Sequence, residues 1–307
     1  MSRIILGGAP IGAMDLRSTE NLISVAINAG ITTVDTAPGY GDSEVKIGQF
    51  LKRNKNDVLK ITTKVGTPAI YKLDSPGLSP STIISSVDQS LSRLGIETID
   101  TLFLHSVDSC EFTEENLSAL RKLKHAGKIK HIGYAGDGLN LKSALNFAEF
   151  DSLMMTLNCL DQSNMVAAVA GAERTLIVKR SLANAVWLTK GYTLITRSKD
   201  KLAQIAWLDK TLRVLLGAQA SQGMTTYQYR FIKMFDRPRT EDFTSLFLNF
   251  ALSIPNVDSV LVGTTSSENL LRAIEIESEV KRLTDAELQE MVFLYSKLSN
   301  TSWGPWT

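Results

Sequence analysis

Two cysteines, Cys110 and Cys159, in 307 residues are too few for a disulfide framework, and neither sits in a metal-ligand spacing. A reducing compartment, the cytoplasm, is the expectation that follows. Net charge is equally scarce: Lys+Arg 33 against Asp+Glu 32 leaves +1, so no global field recruits nucleic acid or an anionic membrane surface. No apolar run approaches the length that spans a bilayer. Ser2-Arg3 leads straight into Ile4-Ile5-Leu6, without the long apolar core and small-residue cleavage site of a signal peptide. Neither nucleic acid nor membrane is an expected partner. Low-complexity tracts and an obvious interdomain linker are also missing, so residues 1–307 read as a single domain. What the chain does have is 44% hydrophobic and 21% charged content, enough for a large core.

Short β-branched or apolar runs alternate with longer amphipathic stretches, the pattern of βα units around a parallel sheet. Arg3–Gly8, Ile31–Asp35, Val58–Lys64, Ile99–His105, Ile129–Tyr134, Asp151–Met155, Thr175–Lys179 and Ser259–Gly263 make eight candidate strands, which suggests a closed (β/α)8 barrel. The helices between them carry ordinary punctuation. Ser18 can cap the first and Gly30 stop it; Ser79-Pro80 opens and Gly95 ends another; Thr113 opens and Gly127 closes a third. Thr284-Asp285-Ala286-Glu287 reads as a capping box for a C-terminal helix. The stretch from Leu188 to Arg239, after the seventh strand, is far longer than an ordinary loop, and we expect it to hold a helix near Lys201–Leu216 and to border the active site. A doubly wound open sheet is the rival fold, but no Gly-x-Gly-x-x-Gly follows the first strand.

Polar residues end three successive runs: Asp35, Lys64 and His105. In a barrel these ends share one mouth, where active sites are built. Tyr40 follows Asp35 in the tight Thr36-Ala37-Pro38-Gly39-Tyr40-Gly41 turn, which can fold back over that mouth. An acid, a phenol, an ammonium and an imidazole therefore converge, a set suited to delivering a proton to a carbonyl oxygen. A phenol has a reference pKa of about 10 and is a weak acid at neutrality. A nearby ammonium stabilises the phenolate, and a carboxylate keeps the ammonium charged and in place. Tyr40 is then the acid, Lys64 its tuner, Asp35 the partner of Lys64, and His105 a donor that orients the substrate carbonyl. His125 and His131 have no such setting, and Cys159 reads as packing, with no histidine placed to activate it.

The segment Asp35-Thr36-Ala37-Pro38-Gly39-Tyr40-Gly41 resembles the aldo-keto reductase signature Asp-Thr-Ala-x-x-Tyr-Gly, with Lys64 and His105 at the remaining tetrad positions. Gly127-Lys128-Ile129-Lys130-His131-Ile132-Gly133, Phe150-Asp151, Asn158-Cys159-Leu160-Asp161 and Gly263 to Leu270 resemble further segments of that family. The resemblance implies a TIM-barrel oxidoreductase that moves hydride between NAD(P)H and an aldehyde, ketone or sugar carbonyl. It assigns Gly8, Asn158, Ser181, Leu182, Gly263, Thr264, Thr265, Ser266 and Asn269 to cofactor binding, places NADP(H) ahead of NAD(H), and implies no metal; Lys179 and Arg180, at a loop where barrels commonly bind phosphate, are expected to contact the cofactor pyrophosphate or an anionic substrate.

Several positions depart from the family. Its Ser-Asn pair after the fifth strand aligns with Ala135-Gly136 and its sixth-strand Gln with Met154, none of which offers the side-chain hydrogen bond that holds a nicotinamide amide. Asn158 or Asp137 could substitute. Its aromatic at the end of the seventh strand aligns with Lys179, followed by Arg180; at most one of this pair is expected to enter the barrel unless the strand ends there. Its cation for a 2′-phosphate aligns with Thr265, with Arg272 near enough to compensate. The usual N-terminal floor hairpin is absent ahead of Arg3, so the floor is expected to be covered by the tail Trp303-Gly304-Pro305-Trp306 or by a second copy in a homo-oligomer. Two other functions compete. One is a cofactor-binding regulatory or structural barrel with little turnover; the other is a lyase using Lys64 as Schiff-base nucleophile.

Overall fold

The computed structural model describes residues 2–54, 59–66, 78–171, 173–188, 242–279 and 282–299, together with 230, 231 and 234. Eight strands, β1 (Ile4–Gly7), β2 (Thr33–Asp35), β3 (Lys60–Val65), β4 (Ile99–His105), β5 (Ile129–Ala135), β6 (Ser152–Thr156), β7 (Thr175–Lys179) and β8 (Val257–Gly263), close in sequence order into a barrel. Every pairing is parallel, and β8 returns to β1 through Ile4–Val260 and Leu6–Val262. The expected strands coincide with these to within two residues. Val58, the expected start of the third, lies outside the described residues, as do the expected helix near Lys201–Leu216 and the tail Trp303–Trp306.

The helices of the described residues are α1 (Leu16–Asn28), α2 (Ser43–Arg53), α3 (Pro80–Leu94), α4 (Glu114–His125), α5 (Gly138–Ala144), α6 (Met165–Ala170), α7 (Phe243–Ser253), α8 (Ser267–Ser278) and α9 (Asp285–Ser299). Local chemistry sets their ends. Ser79 caps α3 in a reciprocal box with Thr82, and Gly95 ends it at φ +64°, a left-handed conformation that costs glycine nothing. Thr113 caps α4 by accepting from the Asn116 amide. Ahead of α9, Thr284 and Glu287 exchange the expected pair of bonds, at 2.8 and 3.3 Å. One expectation is corrected: α1 is capped by Asp15 rather than Ser18. The Asp15 carboxylate reaches both the Ser18 amide and the Ser18 hydroxyl, so the helix begins three residues earlier. Aspartate is as good an N-cap as serine, and the earlier acceptor satisfies the amides first.

Alternation along the strands separates two cores. Leu102 and Leu104 of β4 join the large cluster between barrel and helices, whereas Phe103 points inward with Ile5, Ala135, Met154 and Ile177. This inner plug makes the barrel a packed core rather than a pore. It also fixes the mouth, because the inward period continues from Phe103 to His105 and from Ile177 to Lys179. At the opposite end, Arg3 donates to the carbonyls of Leu252, Val257 and Asp258, tying the start of β1 to the α7–β8 junction. No helix among the described residues is long and apolar enough to cross a membrane.

Candidate active site

Asp35 ends β2 and Lys64 lies one residue from the end of β3, and in adjacent parallel strands this brings the two side chains together. Lys64 Nζ lies 2.6 Å from Asp35 Oδ2 and donates to the Thr36 carbonyl at 2.8 Å, while Thr62 Oγ1 donates to Asp35 Oδ1 at 2.8 Å. Both charged side chains are only 2% exposed, so the pair is shielded from competing water. Burial favours an uncharged Lys64, yet the Asp35 carboxylate and Tyr40 outweigh it and hold the ammonium above its ordinary range. Lys64 is therefore a fixed cation.

Tyr40 sits over this pair. Lys64 Nζ is 4.9 Å from its ring centroid, and the His105 ring meets it edge-on at a centroid distance of 6.1 Å. The turn that carries Tyr40 is held by Tyr40 N–H to the Ala37 carbonyl at 3.0 Å and by Ser43, which receives Thr36 Oγ1 and donates to the Gly8 carbonyl, both at 2.9 Å. A second support escaped the sequence reading. A Cβ on Gly12 would lie 2.0 Å from the Tyr40 carbonyl oxygen, so only glycine lets the Pro10–Ala13 turn pack beneath the Tyr40 loop. Lys46 then donates to the Gly12 carbonyl at 2.8 Å. Burial raises the Tyr40 phenol above its ordinary value, and the Lys64 and Arg180 charges pull against that rise. Burial, with Lys64, Lys179 and Arg180 adding repulsion, pushes His105 down to about 3. The imidazole is neutral at any ordinary pH.

Behind β3, Thr63 points outward and donates to Glu44 at 2.7 Å, whose other oxygen receives Arg93 Nε at 2.7 Å. This buried link fastens α2 and α3 to the strand that carries Lys64.

The other side of the mouth is built from β5, β6 and β7. Lys179 Nζ lies 2.9 Å from Asp137 Oδ2. Asp137 also receives the Thr156 amide at 2.7 Å and Asn164 Nδ2 at 2.9 Å, and Asn164 Oδ1 accepts the Gly138 amide at 3.0 Å. Burial works against the Asp137 charge, but Lys179 and these donors hold its carboxyl below the usual range. Lys179 itself is lowered by burial and by Arg180 against the pull of Asp137. Arg180, with φ +54°, turns out of the strand pleat and brings Nη1 to 3.5 Å from Thr156 Oγ1. Both basic residues thus face the mouth, because the strand ends at Lys179.

The remaining candidates divide. Asn158 is fully buried and bound to backbone, donating to the Arg180 carbonyl at 2.9 Å and accepting the Leu160 amide at 2.9 Å, so it positions Arg180 rather than reaching a ligand. Ser181 is buried and donates to the Leu261 carbonyl at 3.2 Å; Leu182 packs against the core. Gly8 has no room for a Cβ, which would meet the Asp35 carbonyl at 2.6 Å, and serves the floor beneath Tyr40. Gly263 and Thr265 are exposed at the β8 end, Thr264 Oγ1 accepts the Ser266 amide at 3.1 Å, and Ser266 caps α8 through the amide of exposed Asn269. Arg272 is held at 2.9 Å by Asp242 and at 2.6 Å by Glu275. Burial raises the Cys159 thiol, which removes it as a nucleophile. Among the described residues no cluster of His, Cys, Asp and Glu could hold a metal.

Sequence alone would not separate Thr156 and Asn164 from ordinary loop residues. Asp137 carried one usable signal: a lysine closing an apolar strand requires a nearby carboxylate.

The chain is a parallel eight-stranded TIM barrel whose C-terminal face carries a buried carboxylate–ammonium pair under a phenol and a neutral imidazole. The profile of the Aldo/keto reductase family matches residues 3–295, and the chain belongs to that family. An NADH-specific methylglyoxal reductase of Escherichia coli is 33% identical over 180 residues, which span 52% of this chain and 54% of that one, so the match covers about half of that relative. A Schizosaccharomyces pombe protein, provisionally named as a voltage-gated potassium channel subunit beta, is 26% identical over 90% of this chain and 84% of its own length. Among solved structures, an aldo-keto reductase from Bacillus halodurans superposes with a TM-score of 0.72 at 21% identity, covering 95% of this chain and 91% of that one, which is a likeness of fold.

Proposed function

We propose that this protein is a nicotinamide-dependent oxidoreductase that interconverts a carbonyl and an alcohol, with Tyr40 as general acid. The observation that carries the reading is the shielded Asp35–Lys64 pair lying under Tyr40 beside a neutral His105. The cofactor supplies hydride to the carbonyl carbon, or accepts it in the reverse direction. Tyr40 gives its proton to the carbonyl oxygen, and the Lys64 ammonium stabilises the phenolate left behind. Asp35 and the Thr36 carbonyl keep Lys64 charged and in place. His105, neutral and partly buried, donates a hydrogen bond that orients the carbonyl oxygen. A lyase using Lys64 as nucleophile is disfavoured, since a lysine held protonated has no lone pair to attack with.

The residues fit such a cofactor at its phosphate end, where the hydroxyls of Thr264 and Ser266 and the exposed Gly263 and Thr265 surround the N-terminus of twelve-residue α8. At the nicotinamide end, Ala135, Gly136 and Met154 offer no side-chain donor, and Asn158 is spent on backbone. Cofactor preference turns on Arg272. With its guanidinium paired to Asp242 and Glu275, much of its charge is already offset before a 2′-phosphate arrives, so we infer that NADH binds at least as tightly as NADPH. Titrating both cofactors by protein fluorescence, then adding a reactive aldehyde, tests the proposal. Cofactor binding with aldehyde-dependent oxidation of NADH is the expected result. NADPH binding tenfold tighter than NADH would reverse the cofactor inference.

The missing nicotinamide-clamp side chains favour one second reading, a cofactor-binding regulatory barrel with little turnover, and the Schizosaccharomyces pombe relative aligns over most of both chains. Tight NADH binding without reduction of any aldehyde would select it.

A further inference from the structure

Among the described residues, the mouth carries more positive charge than its acids neutralise. Lys64 is matched by Asp35 and Lys179 by Asp137, at 2.6 and 2.9 Å. Among the described residues the Arg180 guanidinium forms no ion pair with an acid, and its one hydrogen bond is the 3.5 Å approach to Thr156 Oγ1. The side chain is exposed, but its course is set by the backbone. Its left-handed φ of +54° and the Asn158 bond to its carbonyl turn the residue off the end of β7 toward the mouth. There the guanidinium reaches the C-terminal end of β6, beside the Thr156 hydroxyl that also donates to Asp137 at 3.1 Å. Gly263, Thr264 and Thr265 close the mouth from β8 instead. A guanidinium is a planar fork of donors suited to carboxylate or phosphate. We propose that Arg180 docks an anionic group of the substrate, so that the site acts on anionic carbonyl compounds, oxo acids or phosphorylated aldehydes, in preference to neutral ones. Lys179 is taken up by Asp137, whose carboxylate also receives the Thr156 hydroxyl that Arg180 approaches, so the second cation is left for a ligand. This inference rests on the carbonyl-reducing reading above.

The test compares aldehyde pairs of equal carbon count, 4-oxobutanoate with butanal and glyceraldehyde 3-phosphate with glyceraldehyde, in the wild type, Arg180→Gln and Arg180→Lys. A charge-assisted contact predicts kcat/KM at least about tenfold higher for the anionic member, carried by KM. The ratio should collapse in Arg180→Gln and recover partly in Arg180→Lys. Preference for the carboxylate pair alone selects oxo acids, and for the phosphate pair alone phosphorylated aldehydes; equal ratios in wild type and Arg180→Gln would overturn the proposal. So would a loss of NADH affinity of about tenfold or more in Arg180→Gln, which would move Arg180 to the cofactor pyrophosphate. If the wild type reduces no aldehyde, the reductase reading fails separately. Calorimetric titration of the NADH-loaded protein with oxamate and with inorganic phosphate then decides the anion site. Binding that weakens in Arg180→Gln supports it, and no binding, or equal binding, overturns it.

Discussion

In the proposed mechanism Tyr40 supplies the proton and Lys64 tunes it, and pH separates the two roles. The half-buried phenol sits above its ordinary value, so the acid form persists through neutrality and reduction should fall only in alkali. In Lys64→Met the remaining ammonium pull is lost. The alkaline limb should move to higher pH and kcat should drop by at least about a hundredfold, the low end of what general acid–base catalysis contributes. A profile that keeps the wild-type limb would show that Lys64 does not act on Tyr40. His105, held near 3, adds no limb between pH 5 and 8. Its imidazole resonances should stay at neutral shifts across that window, and a titration near 6.5 would contradict its place beside Lys64, Lys179 and Arg180.

At the level of elements, the β7 end depends on Asp137. Removing that carboxylate leaves Lys179, 17% exposed, without its counterion. Asp137→Ala should lose roughly 3 kcal/mol in urea unfolding. The sign with pH follows from the lowered carboxyl: its contribution is present above the unfolded value and lost as pH falls through the folded one. The wild type should therefore lose part of its stability in acid that Asp137→Asn never had, and identical acid limbs would place the pair's energy elsewhere. Gly12→Ala puts a methyl against the Tyr40 carbonyl and should cost about 1–3 kcal/mol together with activity, because the Tyr40 loop must move. These elements also show what the sequence could and could not reveal. All eight strands were legible because β-branched runs bounded by Gly and polar residues recur at βα spacing, and Asp35, Tyr40, Lys64 and His105 were legible because strand ends share a face. The cap of α1 was misassigned because Asp15 and Ser18 are both good caps. Gly12, Thr156 and Asn164 were invisible, since each acts across a loop junction that local pattern does not encode. The inward turn of both Lys179 and Arg180 needed a left-handed backbone that no residue type there announces.

Across the whole molecule, the inner plug of Ile5, Phe103, Ala135, Met154 and Ile177 separates a stabilising end from a chemical end. Arg3 belongs to the first. Arg3→Ala removes donors to Leu252, Val257 and Asp258 and should lower stability by about 1–3 kcal/mol while leaving kcat within about twofold. A parallel fall in kcat would mean that the two ends are coupled. The proposed chemistry rests on one group. In single-turnover mixing of the NADH-loaded protein with a reactive aldehyde, Tyr40→Phe should slow NADH oxidation by about a thousandfold, the middle of the range for a positioned acid, with NADH affinity within about twofold of the wild type. Oxidation at the wild-type rate in that variant would contradict Tyr40 as the proton donor.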